Sequence, residues 1–269
     1  MKSDGNELTL DNIGRRNFVL YQQKKGFRLG TDSVLLAWFA SSMVRKDKEG
    51  NFRKVSFLEL GSGNGGSSLC VAARLPQSEI DCLEIMRSSY EVLLKNIEVN
   101  NVGDRMRGYC CDIRDLPDEV KQKQYDVVFT NPPFFTPATG VPTDASISSG
   151  EKLAGRFEEN GGLEDFIRCA KSRVIPSSGH IVMIMKANRL TEVMSLMEKY
   201  RITPVRLLSI HPLADREASS VIIAGKVGAA GPHLKVLPPL ILNENIDGDI
   251  KLTARAVEIY EGEHKDCFI

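Results

Sequence analysis

The sequence predicts an α/β protein with a doubly wound, mostly parallel sheet of seven strands that includes an antiparallel closing strand. From residue 55 onward, apolar runs of strand length alternate with stretches whose apolar residues recur at helical spacing. The strand-like runs are largely apolar, which indicates strands covered by helices on both faces. The last two runs have no helix between them, so we expect them to be antiparallel neighbours.

The predicted elements follow one another in a regular order. We expect strands at residues 55–60, 80–85, 106–110, 125–130, 180–185, 205–210 and 219–227. The intervening helices are predicted at 67–75, 88–101, 164–175 and 188–200. Ahead of this core, residues 8–30 predict a hairpin, and 31–43 predict a helix that begins with Thr31 or Asp32 as its N-cap. The chain is effectively one domain: an extension (1–54), a core (55–230) and a tail with a short helix (231–269).

Composition narrows the range of functions. The 269 residues carry 35 basic and 35 acidic side chains, so no overall positive field indicates a nucleic-acid partner, although a local patch remains open. The six cysteines form no C-x-x-C pair and only four histidines are present, which argues against a metal site or a disulfide framework. The first residues do not resemble a signal peptide, and no apolar run is long enough to span a membrane. We expect a cytoplasmic monomer.

A glycine-rich stretch follows the first core strand. Residues 59–68 read ELGSGNGGSS, so Gly61, Gly63 and Gly65 permit a tight turn and a close approach of a ligand to the backbone. The same stretch also fits the dinucleotide pattern G-x-G-x-x-G. Glu59 extends it to E-x-G-x-G-x-G, a form typical of S-adenosylmethionine binders, in which the carboxylate helps to hold the loop or contacts the methionine ammonium through water.

Two further acidic residues follow the second and third strands. Glu84 lies about 20 residues beyond the glycines, the spacing at which a carboxylate contacts a ribose hydroxyl. Asp112 directly follows the third strand and is placed to accept a hydrogen bond from an adenine amine. Asp112 is equally suited to be the N-cap of a helix in the segment that follows it.

The fourth strand ends in Asn-Pro-Pro-Phe at 131–134. In a doubly wound sheet, ligands bind beyond the carboxyl ends of the strands, so Asn131 faces the predicted cofactor crevice. The Asn131 side-chain oxygen and the Pro132 carbonyl can accept both hydrogens of a planar amine and aim its lone pair. The two prolines stiffen the turn, and Phe134 offers a face on which a flipped base can stack. This chemistry needs no metal ion.

On these motifs the chain resembles class I S-adenosylmethionine-dependent methyltransferases of the NPP[YF] type. More narrowly, it is similar to the bacterial tRNA1(Val) adenine N6-methyltransferase family, on GFRLGTDSVLLAWF (26–39), GEKLAGRFE (150–158), LKVLPPLIL (234–242) and LTARAVEIYEG (252–262). The resemblance implies methyl transfer from S-adenosylmethionine to N6 of the adenine immediately 3′ of a tRNA anticodon. It also implies Thr31 and Asp32 as contacts near the methionine end of the cofactor.

The candidate site residues fall into three groups. Catalytic roles are expected for Asn131, Pro132, Pro133 and Phe134. The expected cofactor contacts are Thr31, Asp32, Glu59, Gly61, Ser62, Gly63, Gly65, Glu84, Ile85, Asp112, Ile113 and Asn131. Basic residues interleaved with aromatic ones in the hairpin, and one arginine in the 134–160 segment, suggest contacts with RNA by Arg15, Arg16, Lys24, Lys25, Arg28 and Arg156. The alternative for the hairpin is a solvated face.

Other functions stay open on the sequence alone. The Asn-Pro-Pro-Phe motif also suits guanine N2 in RNA or a protein glutamine, although those enzymes usually carry an additional domain for which this chain has no room. A non-catalytic RNA-binding protein that kept the fold is a third possibility. The intact Asn-Pro-Pro sequence beside an intact glycine loop argues against that last alternative.

Overall fold

The computed structural model describes residues 7–24, 28–44, 53–132, 162–229 and 234–261. Its strands are β1 (Leu8–Asn12), β2 (Val19–Gln23), β3 (Ser56–Leu60), β4 (Glu79–Glu84), β5 (Met106–Cys110), β6 (Val127–Thr130), β7 (His180–Lys186), β8 (Ile202–His211), β9 (Ser220–Val227), β10 (Lys235–Val236), β11 (Leu240–Ile241), β12 (Asn243–Ile246) and β13 (Asp249–Leu252). Its α-helices are α1 (Thr31–Ser41), α2 (Gly66–Arg74), α3 (Arg87–Val99), α4 (Asp118–Lys121), α5 (Leu163–Arg173), α6 (Leu190–Lys199) and α7 (Ala254–Glu261).

The central sheet has the predicted doubly wound topology, and among the described residues the short tail strands β10 and β11 extend the predicted seven strands to nine. Its strands lie in the order β10-β8-β9-β7-β6-β3-β4-β5, and the short β11 also pairs with β8. From β7 to β5 all neighbours are parallel, whereas β9 is antiparallel to both β7 and β8. The chain leaves β3 towards β4 and β5 and returns on the other side at β6. The carboxyl ends of β3 and β6 are therefore adjacent, at the point where such sheets bind ligands.

Alternate residues of the strands build a core on each face of the sheet. Phe57 and Phe129 pack edge to face at 6.1 Å on the side covered by α1 and α2. Leu58 and Val128, the next residues along the same strands, pack on the opposite side with α5 and α6. The alternation follows the period of two that strand geometry imposes, and it explains why the strands read as continuous apolar runs.

The predicted helix after the hairpin is present, but its predicted N-cap is wrong. The N-cap is Gly30, and the helix α1 begins at Thr31. The Asp32 side chain does not cap the helix because its two oxygens contact Ser220 and Lys186 at 3.2 and 3.4 Å. Burial of Leu35 and Leu36 fixes the helix against the sheet.

The C-terminal tail contains more regular structure than the predicted short helix. The helix is present as α7, and it is preceded by the hairpin β12–β13. Asp247 and Gly248 form the turn of that hairpin with φ values of +54° and +92°. An Asp-Gly pair between two short strands is a hairpin signal, so the sequence contained the information for this element.

A substitution at Gly65 tests how strictly the fold constrains the backbone of the loop before α2. The φ of Gly65 is +82°, and a Cβ atom on it would clash with Cδ1 of Leu93. We expect Gly65→Ala to lower the free energy of unfolding by about 1–3 kcal/mol, because an L side chain is strained at this φ and must displace Leu93. Urea unfolding measures the change.

The matched control is Gly103→Ala, where the new Cβ would make an ordinary contact of 3.7 Å with Ile97. We expect the free energy of unfolding of this variant to lie within about 0.5 kcal/mol of the wild-type value. Equal destabilisation by the substitutions at positions 65 and 103 would contradict the proposed constraint.

Candidate functional site

The glycine loop joins β3 to α2 at the ligand-binding edge of the sheet. Gly61, Gly63 and Gly65 adopt left-handed φ values of +68°, +56° and +82°. These are the three glycines of the E-x-G-x-G-x-G pattern, whereas Gly66 of the alternative dinucleotide pattern is already the first residue of α2. The loop geometry therefore matches the pattern typical of S-adenosylmethionine binders, since each alternate residue needs the backbone freedom of glycine.

Glu84, the last residue of β4, holds the glycine loop. Its carboxylate accepts the amide hydrogens of Gly63 and Met86, each at 2.7 Å. The side chain is buried, and this burial raises the pKa of Glu84 against the opposing effect of the backbone hydrogen bonds. Each carboxylate oxygen has a second acceptor position, so the group can hold the loop and still receive a hydroxyl donor.

Glu59 lies in the middle of the sheet rather than at the open crevice. It is 2% exposed, and it accepts a hydrogen bond from the Ser68 hydroxyl in the first turn of α2. Burial raises the pKa of Glu59 to about 8, so the group is largely protonated at neutral pH. The visible contact of Glu59 connects β3 to α2, and a contact with the cofactor remains a prediction.

Asn131 follows β6, next to the glycine loop in the sheet order. Thr130, the last residue of β6, donates its hydroxyl to the Leu60 carbonyl at 2.8 Å and so joins the ends of the two central strands. Among the described residues, Asn131 Oδ1 is buried and has no hydrogen-bond partner. A buried acceptor without a partner costs free energy, so Asn131 Oδ1 is a candidate acceptor for a donor supplied by a ligand.

Two more polar atoms near the loop are in the same state. Within the part of the chain that the structure describes, the Ser62 hydroxyl and Asn64 Nδ2 are buried without hydrogen-bond partners. Together with the left-handed loop and Glu84, these atoms provide a donor, an acceptor and a hydroxyl at the switch point of the sheet. The residues present therefore fit a polar cofactor such as S-adenosylmethionine. Sequence patterns did not identify Asn64, because it occupies a variable position of the glycine motif.

Three of the expected cofactor contacts follow β4 and β5. Ile85 is 37% exposed directly after Glu84, and Ile113 is 9% exposed after β5. Asp112 is held by Arg114, which donates to it from the backbone amide at 2.8 Å and from the guanidinium at 2.6–3.0 Å. The Arg114 guanidinium is the main cause that lowers the pKa of Asp112. The alternative role for Asp112 as a helix N-cap is wrong, because a turn follows it and α4 begins only at Asp118.

Thr31 and Asp32 lie in the first turn of α1, close to the end of β7. The Asp32 carboxylate contacts Lys186, the last residue of β7, and Ser220, the first residue of β9. Thr31 shares a side-chain hydrogen bond with Tyr260 of α7. Both residues therefore lie at the same edge of the sheet as the glycine loop, and their contact with the cofactor remains a prediction.

The basic residues of the hairpin have partners within the protein. Arg15 donates to the Ile259 carbonyl at 2.7 Å, and Arg16 donates to the Ala73 carbonyl at 2.8 Å. These carbonyls belong to the last turns of α7 and α2, where a cation is favourable. Arg28 pairs with Asp11 at 2.9 Å, and Lys24 pairs with Glu7. Arg15 and Arg16 thus have structural contacts, while RNA contact by the hairpin remains a prediction.

The structure describes only the first of the two prolines that follow Asn131. Pro132 is buried directly after Asn131. Pro133, Phe134, Lys25 and Arg156 lie outside the described residues. Within the described ranges, no group of three or more His, Cys, Asp or Glu side chains is placed to hold a metal ion. None of the described helices combines the length and apolar character needed to cross a membrane.

The sequence shares similarity with methyltransferases. Residues 39–147 match the family model described as methyltransferase small domain. A relative from Flavobacterium johnsoniae is 23% identical over 209 residues, which cover 78% of this chain and 82% of the relative. Another from Porphyromonas gingivalis is 27% identical over 209 residues, which cover 77% of each chain. Both relatives are named tRNA1(Val) (adenine(37)-N6)-methyltransferase.

Solved structures share the fold. A predicted O-methyltransferase from Agrobacterium tumefaciens superposes with a TM-score of 0.62 at 20% identity, covering 84% of this chain and 95% of the other. Pyrococcus horikoshii TYW2, solved with MeSAdo, gives a TM-score of 0.53 at 14% identity, covering 82% and 72%. The predicted class I methyltransferase fold is confirmed. The match to the methyltransferase small domain confirms the predicted enzyme class, an S-adenosylmethionine-dependent methyltransferase.

The raised pKa of Glu59 predicts a specific pH dependence of stability. The unfolded glutamate ionises near pH 4.5, whereas the folded one ionises near pH 8, so the folded state retains the extra proton between these values. The free energy of unfolding should therefore fall as pH rises from 4.5 to about 8, by a few kcal/mol from this group. We expect Glu59→Gln, which cannot ionise, to gain stability relative to wild type over that range in urea unfolding.

Glu119 supplies the control because it is exposed at the surface. Glu119→Gln keeps Glu59, so the fall in stability between pH 4.5 and 8 should persist in this variant. Parallel profiles for wild type and Glu59→Gln would contradict the assignment of a buried, largely protonated Glu59.

Proposed function

We propose that this protein transfers the methyl group of S-adenosylmethionine to the exocyclic N6 amine of an adenine in RNA. The target we infer is the adenine immediately 3′ of a tRNA anticodon. The observation that carries the proposal is the buried Oδ1 of Asn131, which has no hydrogen-bond partner among the described residues and follows β6 beside the glycine loop.

Two independent considerations support the RNA and the base. The relatives that align over about three quarters of this chain carry names that specify adenine N6 in a tRNA. An exocyclic adenine amine also suits the Asn-Pro-Pro-Phe turn, because the amine is planar and offers two hydrogens to two acceptors. The Asn131 oxygen accepts one, and the Pro132 carbonyl is the proposed acceptor of the other. We further propose that the protein acts as a cytoplasmic monomer.

The proposed role of Asn131 is to orient and polarise the amine. Its oxygen holds one N–H bond in a fixed direction, which aims the nitrogen lone pair and opposes its delocalisation into the ring. The hydrogen bond strengthens as positive charge develops on the nitrogen, so it favours the transition state over the ground state. No dedicated base is needed, since the product ammonium loses its proton after transfer.

The residues proposed to hold the cofactor surround the glycine loop. When bound, S-adenosylmethionine supplies an electrophilic methyl group. The loop backbone from Gly61 to Gly65 and the Ser62 hydroxyl are the proposed polar contacts, together with the Glu84 carboxylate for the ribose. Ile85 and Ile113 are the proposed apolar contacts for the adenine. Asp112 would accept a hydrogen bond from the adenine amine. In that role its carboxylate would bind the amine and Arg114 at the same time.

Pro133 and Phe134 complete the proposed catalytic turn. The second proline adds stiffness, which limits the conformational entropy that substrate binding costs. The Phe134 ring is the proposed stacking surface for the flipped target base, a contact worth on the order of 1–3 kcal/mol. A flipped base between this ring and the Asn131 amide would present its exocyclic amine to the crevice.

The central test is Asn131→Ala in single-turnover methyl transfer to an anticodon stem-loop. We expect the transfer rate to fall by about 10²–10³, because the oriented acceptor acts mainly in the transition state. The affinity for S-adenosylhomocysteine, measured by calorimetry, should fall far less than the transfer rate. A transfer rate near wild type would exclude Asn131 as the orienting group.

The same assay distinguishes the base. The wild-type protein should methylate a stem-loop with adenine at the target position and leave the matched guanine stem-loop unmodified. Transfer only to guanine would keep the proposed role of Asn131 and overturn the choice of base. Binding of the stem-loop without transfer to either would indicate a non-catalytic RNA-binding protein.

The hairpin prediction concerns the binding of RNA. Arg15 and Arg16 are poor probes because both donate to helix carbonyls, so Lys24 and Lys25 are the better choice. If these lysines bind phosphates, Lys24→Gln with Lys25→Gln should weaken tRNA binding. The slope of log affinity against log salt should then become shallower by about 0.7–0.9 for each phosphate that the variant no longer neutralises. An unchanged slope would mean that the hairpin is a solvated face.

A further inference from the structure

Asn96 of α3 and Asn100, the C-cap of that helix, hold the second strand of the hairpin in the same way. Asn100 accepts the Val19 amide at 2.8 Å and donates to the Val19 carbonyl at 2.7 Å. Asn96, one turn earlier, accepts the Tyr21 amide at 2.7 Å and donates to the Tyr21 carbonyl at 3.0 Å. Each side-chain amide thus replaces a neighbouring strand for one residue of β2. The spacing of four residues on α3 matches alternate residues of β2.

The two asparagines differ in the second acceptor of the amide nitrogen: Asn100 Nδ2 donates to the Asn96 carbonyl at 2.7 Å, whereas Asn96 Nδ2 reaches the glycine loop. There it donates to the backbone carbonyl of Asn64 at 2.9 Å. The Asn96 side chain is fully buried, so these three hydrogen bonds take the place of hydrogen bonds to water. A single amide therefore joins the hairpin to the loop in which Ser62 and Asn64 have polar atoms without partners among the described residues.

The hairpin and the loop also lie close to each other around this amide. Gln23 at the end of β2 lines a narrow crevice with Gly63, Asn64 and Ser89. On the neighbouring side, a Cβ atom added to Gly66 would lie only 2.8 Å from Cδ1 of Leu29. The position of β2 and the shape of the loop are therefore mutually dependent, and Asn96 is the hydrogen-bonded connection between them.

We propose that Asn96 is a positioning residue that couples cofactor binding at the glycine loop to the docking of the N-terminal hairpin. The inference rests on the proposed cofactor contacts of the loop. A ligand that orders residues 61–65 also fixes the Asn64 carbonyl, and Asn96 transmits that order to Tyr21. Because coupling is reciprocal, a partner that holds the hairpin also strengthens the binding of the cofactor. For a hairpin that contacts RNA, the binding of S-adenosylmethionine and the binding of RNA would each strengthen the other.

The test compares Asn96→Ala with Asn100→Ala, which removes the equivalent pair of hydrogen bonds at Val19 but none to the glycine loop. Calorimetry with S-adenosylhomocysteine should give a dissociation constant about tenfold weaker for Asn96→Ala and near wild type for Asn100→Ala. Hydrogen exchange of the β2 amides supplies the second readout. In the wild-type protein, S-adenosylhomocysteine should slow exchange of the Tyr21 amide by about fivefold or more.

Each outcome decides the proposal. Cofactor-dependent protection of β2 that persists in Asn100→Ala and disappears in Asn96→Ala supports it. Equal cofactor affinities in the two variants would mean that Asn96 only holds the hairpin, and would overturn it. If Asn96→Ala does not fold, hydrogen exchange in the wild-type protein still tests the proposal. An exchange rate of the Tyr21 amide that S-adenosylhomocysteine does not change would exclude the coupling. Failure of the wild-type protein to bind S-adenosylhomocysteine would instead reject the proposed function.

Discussion

The carboxylate of Glu84 holds the glycine loop by accepting the amide hydrogen of Gly63, and the geometry of the site depends on this hydrogen bond. Three alternate residues of the loop adopt left-handed backbone conformations, and a loop of this shape needs an acceptor for the amide that it turns inwards. Glu84 ends the strand beside β3, so the parallel sheet brings this acceptor to the loop. The cost of the arrangement is a buried carboxyl group, which is expressed in the raised pKa of Glu84.

Polar groups around the crevice divide into those with partners inside the protein and those without. Glu59, Asp112, Asp32 and Asn96 have internal partners, and each connects two segments or fixes one turn. Within the described part of the chain, the buried atoms Asn131 Oδ1, Ser62 Oγ and Asn64 Nδ2 have none. A rigid polar frame around a few unpartnered atoms suits a site that orients its substrate, because little reorganisation is then needed during the reaction.

Most of the fold was predictable because each core strand and helix has a strong local signal. The predicted strands at 80–85 and 180–185, for example, agree with β4 and β7 to within one residue at each end. The hairpin β12–β13 was not predicted although Asp247 and Gly248 are typical of its turn, because its strands are polar and exposed. In the site, the glycine loop and Asn131 were visible as motifs. The pairing of Asp112 with Arg114 and the hydrogen bond of Asn96 to Asn64 were not, since they depend on side-chain positions that local patterns do not specify.

We propose that this protein methylates N6 of an adenine in RNA through the orienting oxygen of Asn131. The most direct measurement is mass spectrometry of tRNA nucleosides from a strain that lacks the gene, complemented with the wild-type gene or with Asn131→Ala. The account predicts that N6-methyladenosine in tRNA falls in the deletion strain and returns with the wild-type gene but not with Asn131→Ala. Unchanged N6-methyladenosine, or a fall in N2-methylguanosine instead, would contradict it.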